Sequence, residues 1–228
     1  MNLHPNFSYQ VDYVGNEQSP VLIVDHFLSE PDSLIDYCVE NSQFNSLDKF
    51  YPGVRSPAPN LYVQILYHHL HKIIYDIFSL KEGMVKTVKS DFSMVVSDPF
   101  QLSINQRVPH FDSVNEHDLA AVHYLCGSAF GGTSLYRHRA TGYESVTDAR
   151  LPRYSAILKE ELSVGEYPKA YMNGDNDFFE RVKSYEAEYN RIIVYPCKCL
   201  HSGNISSDFA FEKNPRKGRL TLNTFIGV

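Results

Sequence analysis

The chain has 228 residues, of which 43% are hydrophobic, and a formal net charge of -6. The acidic balance, with no basic tract interleaved with aromatics, argues against non-specific nucleic-acid binding. Sixteen tyrosines and 14 phenylalanines supply enough apolar surface for one compact domain rather than a disordered chain.

No segment approaches 18 apolar residues, so no membrane span is expected. The N-terminus lacks a basic region followed by an apolar run, and no secretory signal is expected either. Four cysteines, Cys38, Cys126, Cys197 and Cys199, are too few for a disulfide framework in a chain of this length. They suggest a reducing, cytoplasmic setting.

In chain order, VLIVDHF (21–27) predicts a short strand. Ser29-Glu30-Pro31-Asp32 reads as a helix start, with Ser29 or Asp32 as cap and LIDYCVEN as the helix. Phe50 to Arg55 and Pro57-Ala58-Pro59 read as a rigid loop. From Tyr62 to Phe78, the apolar residues Ile65, Leu66, Leu70, Ile73, Ile74, Ile77 and Phe78 follow helical spacing. The first 80 or so residues therefore predict helices that cover a sheet.

Strands are then predicted at Thr87 to Val96, Leu102 to Val108, 119–126 and Gly131 to Tyr136. Residues 139–190 are charged, and LPRYSAILKEEL and DFFERVKSYEAEY both suit helices. Strand signals return at Arg191 to Cys197, Phe209 to Phe211 and Arg219 to Ile226. Many short strands separated by turn residues favour a sandwich or barrel-like core over repeated βαβ units.

Within this pattern stands Pro109-His110-Phe111-Asp112. Residues i and i+2 of a strand share a face, so His110 and Asp112 can reach one metal while Phe111 turns into apolar packing. His201 lies 91 residues further on and must come from another strand. Two imidazoles and a carboxylate leave half of an octahedral metal open, which suits iron(II) better than a closed structural zinc site. Manganese or nickel fits almost as well on ligand chemistry alone.

Taken with the distal histidine, a Gly-Gly-Thr strand entry and Gly218-Arg219-Leu220-Thr221, this set resembles the iron(II)/2-oxoglutarate-dependent dioxygenases, nearest their prolyl-hydroxylase-like branch. The resemblance covers about residues 88–228. It implies a mainly β fold with some α: a double-stranded β-helix, or jelly roll, with N-terminal and inserted helices packed outside. On that reading one domain spans 1–228, with 1–87 as support and a helical insertion at 139–190.

The resemblance further implies that His110, Asp112 and His201 bind iron(II). It assigns 2-oxoglutarate to Arg219, Tyr124 and Thr221: Arg219 for the distal carboxylate, Tyr124 as a hydrogen-bond donor and Thr221 as an assisting hydroxyl. The activity implied is oxidation, usually hydroxylation, of a second substrate with decarboxylation of 2-oxoglutarate to succinate. One departure stands out. Arg219 follows His201 by 18 residues, more than is usual in the family, which makes Arg216 a rival. Arg219 begins an alternating strand in which it shares a face with Thr221 and Asn223, and this favours it. Its planar fork can clasp a carboxylate with two hydrogen bonds.

Other clusters of potential ligands compete with this set. In a regular strand, Cys197 and His201 stand about 13 Å apart, too far for one metal. Cys199 with His201 stays an alternative pair, and the preferred reading of Cys197 and Cys199 is small buried groups beside the site. His68 and His71 lie one helical turn apart but lack the acidic partner of a His-Glu-x-x-His zinc motif. Arg137 and His138, Arg55 in the wall Phe50 to Arg55, and Asn223 are candidate substrate contacts. The insertion reads as a lid, a peripheral cover or part of a homodimer contact. A small molecule, amino acid or peptide is the expected substrate. The alternatives are a cupin-like metalloenzyme without 2-oxoglutarate and a non-catalytic jelly roll.

Overall fold

The computed structural model describes residues 1–45, 51–164, 167–206 and 208–228. The N-terminal part contains β1 (Ser8–Val14), β2 (Ser19–Asp25), α1 (Asp32–Asn41), β3 (Gly53–Pro57) and α2 (Asn60–Ile77). There follow β4 (Thr87–Val95), α3 (Ile104–Arg107), β5 (Leu119–Tyr124), β6 (Thr133–His138) and α4 (Leu151–Val164). The chain ends with β7 (Phe179–Tyr185), β8 (Ile192–Pro196), β9 (His201–Gly203) and β10 (Leu220–Gly227).

Two antiparallel sheets face one another. The larger has the order β1-β2-β8-β5-β10-β4-β3, the smaller β7-β6-β9. A bridge between His110 and His201 brings the chain around His110 alongside β9. In the middle of the larger sheet, neighbouring strands (β2-β8-β5-β10-β4) are distant in sequence, and this interleaving makes the fold a double-stranded β-helix. The N-terminal segment does more than cover the sheet, because β1, β2 and β3 extend it at both edges.

Alternation along the strands separates the cores. Leu22, Phe92, Met94, Leu220 and Leu222 point outward and pack against the apolar stripe of α2, namely Tyr62, Ile65, Leu66, Leu70 and Ile74. Burying each such leucine or isoleucine contributes roughly 1.5–3 kcal/mol. Val21, Ile23, Ala120, Val122, Tyr124 and Tyr195 point inward, toward Leu135 and Tyr185 of the smaller sheet. On that sheet's outer face, Tyr136 and Phe179 pack with Tyr154 of α4.

Five expectations are corrected. The stretch read as a rigid loop from Phe50 to Pro57 carries β3 from Gly53 onward. Residues 102–108 form no strand; Ser103 and Gln106 close a capping box, so the backbone turns into α3. DFFERVKSYEAEY is not a helix but contains β7, whose Phe179 and Tyr185 are buried while Arg181 and Lys183 face solvent. The helical part of the insertion is thus α4 alone. Residues 209–211 are irregular. Neither Ser29 nor Asp32 caps α1: Pro31 takes the cap position without a side-chain bond, and Asp32 accepts from the Tyr189 hydroxyl.

His123 is a buried core histidine between the sheet and α2. Asn190 Oδ1 already accepts from Leu28 N–H, so His123 Nε2 donates to it at 3.2 Å. Nδ1 then accepts from the Tyr62 hydroxyl at 3.2 Å. Burial drives the imidazole down to about 4, against a smaller upward effect of Asn190. The unfolded chain takes up this proton below its ordinary 6.5, before the folded chain does. Stability is therefore complete above that value and falls as pH drops toward 4. Between pH 7.5 and 5 the loss is about 2 kcal/mol. Urea denaturation at both pH values should show this loss, and the His123→Gln variant should lose correspondingly less; an unchanged pH dependence would count against it.

Candidate metal centre

The ligand atoms of His110, Asp112 and His201 all lie within 4.8 Å of one another. They are brought together by backbone pairing. His110 N–H donates to His201 O at 2.9 Å, and His201 N–H returns the bond to His110 O at 2.8 Å. Two residues on, Asp112 N–H donates to Cys197 O at 2.8 Å, which anchors the carboxylate-bearing residue to the end of β8. Phe111 turns away, as expected, into edge contact with Tyr154.

His201 Nδ1 lies 2.9 Å from the Cys199 carbonyl. A carbonyl can only accept, so the ring proton sits on Nδ1 and the Nε2 lone pair faces the cluster, 3.4 Å from Asp112 Oδ2. His110 Nε2 lies 3.8 Å from Asp112 Oδ1. The side chains of His110, Asp112 and His201 are 49%, 20% and 7% exposed, so the cluster opens on the His110 side. Two imidazole nitrogens and one carboxylate oxygen fit a divalent metal with open positions, iron(II) included.

Two spaces meet at this cluster. An inner cavity of about 90 Å³ runs between the sheets from His110, Asp112 and His201 toward Arg219, Thr133 and Tyr171. An open groove of about 810 Å³ lies outside it, between α4 on one side and α3 and β3 on the other. His110, Asp112, Arg55 and Phe225 line both.

Arg219 is buried and borders the inner cavity. Its Nε donates to the carbonyls of Phe130 and Gly131 at 3.1 and 3.3 Å, and Nη2 donates to Gly132 O at 3.0 Å. A guanidinium has five N–H groups. Among the described residues these bonds leave both N–H groups of Nη1 and one of Nη2, the end-on edge that suits a carboxylate. Arg216, the rival, is a surface residue paired with Asp36 at 2.7 Å.

Tyr124 and Thr221 are displaced from their expected roles, since neither lines the cavity. Tyr124 donates to Thr133 Oγ1 at 2.7 Å, and Thr221 donates to Asn223 Oδ1 at 2.9 Å. Each stands one hydrogen bond behind a residue that borders the space. Thr133, bonded through its oxygen, retains its own proton to donate inward. Tyr51, part of the expected wall, also borders the cavity, as do Tyr171 and Tyr195, which the sequence did not single out. Burial, then the Asp112 carboxylate, pushes the Tyr195 phenol far above its ordinary range, so it is neutral beside the cluster. Burial raises Tyr51 too, while Arg219 and Arg55 oppose that rise.

Arg55 and Asn223 line the space as expected. Phe50, the other end of the expected wall, lies outside the described residues. Arg137 and His138 border neither space. Arg137 bonds Glu144 and Glu180, whereas His138 is fully buried between Thr141 and Glu161. Their long-range acidic partners turn them from the metal side into structural ties. Cys197 and Cys199 are buried thiols, raised mainly by burial, and lie outside the ligand cluster. No cluster of three potential ligands includes His68 or His71 among the described residues.

The solved structures similar to this chain include HygX from Streptomyces hygroscopicus with nickel and 2-oxoglutarate bound. It is 11% identical, with coverage of 92% of this chain and 83% of that one and a TM-score of 0.51. SnoK, a non-haem alpha-ketoglutarate-dependent carbocyclase from nogalamycin biosynthesis, is 12% identical over 91% of this chain and 79% of its own, with a TM-score of 0.47. A Pseudomonas putida prolyl-4-hydroxylase is 12% identical over 97% and 91%, at 0.43. The chain shares the double-stranded β-helix fold of the iron(II)/2-oxoglutarate dioxygenases. It belongs to a family of unknown function, DUF6445, whose model matches residues 5–226. No curated protein matches its sequence. Among the described residues no helix is long and apolar enough to cross a membrane.

Proposed function

We propose that this protein is a cytoplasmic iron(II)- and 2-oxoglutarate-dependent oxygenase that hydroxylates a small molecule, amino acid or peptide. One observation carries the reading: the two-histidine, one-carboxylate cluster opens into a cavity that ends on a buried arginine with N–H groups to offer. His201, its tautomer set by the Cys199 carbonyl, presents Nε2, and His110 and Asp112 complete the three-ligand face. Iron(II) bound there supplies the redox chemistry that couples dioxygen to decarboxylation of 2-oxoglutarate and oxidation of the substrate. Arg219 binds the distal carboxylate of 2-oxoglutarate, and Thr133 offers a hydroxyl along the same wall. Tyr124 and Thr221 act as positioning residues behind Thr133 and Asn223. Phe225 and Tyr195 narrow the space around the cluster and limit water.

Anaerobic addition of iron(II) and 2-oxoglutarate should produce a weak visible charge-transfer band. In Arg219→Leu the band should demand at least about tenfold more 2-oxoglutarate, the loss of a charge-assisted bidentate contact, while iron(II) binding persists. A wild-type protein that binds iron(II) yet shows no band would overturn the co-substrate assignment.

A further inference from the structure

The larger sheet closes one of its edges and leaves the other open. At the β3 edge, Asn45 pairs with the main chain of Arg55 at 2.9 and 3.0 Å, and Pro57 ends the strand. At the opposite edge, the main chain of β1 is paired with β2 alone among the described residues. An open strand edge is a template for a further strand, and proteins usually guard one with lysine, proline or a bulge. Over Ser8–Val14 the sequence SYQVDYV contains neither lysine nor proline. Its register with β2 runs without a bulge from Ser8 opposite Asp25 to Val14 opposite Ser19.

The two faces of β1 differ. Val14 belongs to the core between the sheets. Asp12 reaches the same side, where it accepts from the Tyr185 hydroxyl at 3.2 Å and pairs with Lys183 at 3.2 Å. Val11 packs on the outer core that contains α2. Alternation places Tyr9 and Tyr13 on that outer face too, where they are 52% and 64% exposed.

The strand is self-complementary. When it is set antiparallel to a second copy with Val11 on a two-fold axis, the whole strand overlaps. Each Tyr9 then faces the partner's Tyr13, an aromatic cross-strand pair made twice. Gln10 faces the partner's Asp12. That carboxylate is the only charge of the strand and is already offset by Lys183, so no like charges meet. Shifting the axis by one residue shortens the overlap and mismatches both tyrosines. The exposed tyrosine surface amounts to roughly one whole side chain per copy, on the order of 200 Å². The four tyrosines thus cover about a third of the roughly 1,200 Å² of the smallest stable interfaces. This fits a reversible dimer and not an obligate one.

We infer that β1 is a self-association edge: two copies of this chain join their larger sheets through antiparallel β1 strands, with Tyr9 against the partner's Tyr13. The contact is isologous, so it closes at two copies and does not propagate into a fibre. It does not depend on the oxygenase reading, since no residue of β1 lines the inner cavity or the outer groove.

Sedimentation velocity of the intact protein, from about 1 to about 200 μM, should show a shift from monomer to dimer, as a small reversible interface requires. Tyr9→Lys/Tyr13→Lys opposes lysine to lysine in both outer pairs. It should leave a monomer throughout, with circular dichroism and thermal melt unchanged. Tyr9→Lys/Tyr13→Glu opposes unlike charges at the same places and should recover the dimer to within about tenfold of the wild-type affinity. Under mild oxidation, Tyr9→Cys/Tyr13→Cys should give a cross-linked dimer on a non-reducing gel, and Tyr9→Cys alone should not. The four native thiols are buried and do not compete. A wild-type monomer at every concentration would overturn the inference. So would a dimer that survives Tyr9→Lys/Tyr13→Lys, which would place the interface elsewhere. Loss of the dimer in both charge variants, or equal cross-linking by Tyr9→Cys alone, would overturn the pairing of Tyr9 with the partner's Tyr13.

Discussion

Asp112→Ala is expected to abolish 2-oxoglutarate turnover and to weaken iron(II) binding by at least about 100-fold. Even loss of a partner that merely orients a ligand costs 10–100-fold in metal affinity, and Asp112 would be a ligand itself. It supplies the only anionic donor of the cluster, with oxygens 3.4 and 3.8 Å from the two imidazole Nε2 atoms. Without it, two neutral rings remain, and nothing offsets the metal charge. The fold should be indifferent, because the structural bond of this residue runs from its backbone N–H to Cys197 O. Stability should stay within about 0.5 kcal/mol of wild type. Titration with manganese(II), paired with a thermal melt, separates the two effects. Undiminished metal affinity would remove Asp112 from the ligand set.

Gly131→Ala should be the most damaging single methyl near the inner cavity. Gly131 has φ +68° and ψ 153°, a region open essentially to glycine alone. An added Cβ would also stand 1.7 Å from the Asn204 carbonyl oxygen, a backbone atom that cannot swing aside. Conformational strain and overlap together predict a loss of about 3–5 kcal/mol. The carbonyls of Phe130, Gly131 and Gly132 would be shifted away from the Arg219 guanidinium they now hold. KM for 2-oxoglutarate should rise more than kcat falls. Gly142→Ala is the control: φ is +73°, but its Cβ would meet nothing within 4 Å. A denaturation series that ranked the two variants equally would contradict the steric part of the argument.

The candidate metal cluster was legible in the sequence because its chemistry is local: His110 and Asp112 stand two residues apart, and His201 offers a third donor of the same kind. Arg219 could be preferred to Arg216 from alternation alone, and the surface pairing of Arg216 with Asp36 agrees. Residues one layer behind the cavity were harder to read. Tyr124 and Thr221 have the right residue types, yet hydrogen bonds to Thr133 and Asn223 set them back. Arg137 looked like a residue of the site mouth because Glu144 and Glu180, which hold it, could not be paired with it before the fold was known. At β7, residues that favour helices decorate the solvent face of a strand, and tertiary pairing with β6 overrides their preference. The Ser-x-x-Gln signal at 103–106 was available and was outweighed by apolar content.

The reciprocal pair of backbone bonds between His110 and His201 ties together two segments 91 residues apart. Their spacing is thus set by the main chain, and the rings pack at 4.3 Å between centroids. The wall of the outer groove has a different origin, in α4, within the stretch of chain between β6 and β7. Holder and wall therefore come from separate parts of the chain and meet at the Phe111–Tyr154 contact. Substitutions along α4 can reshape the outer groove while the main-chain pairing that spaces His110 and His201 stays as it is.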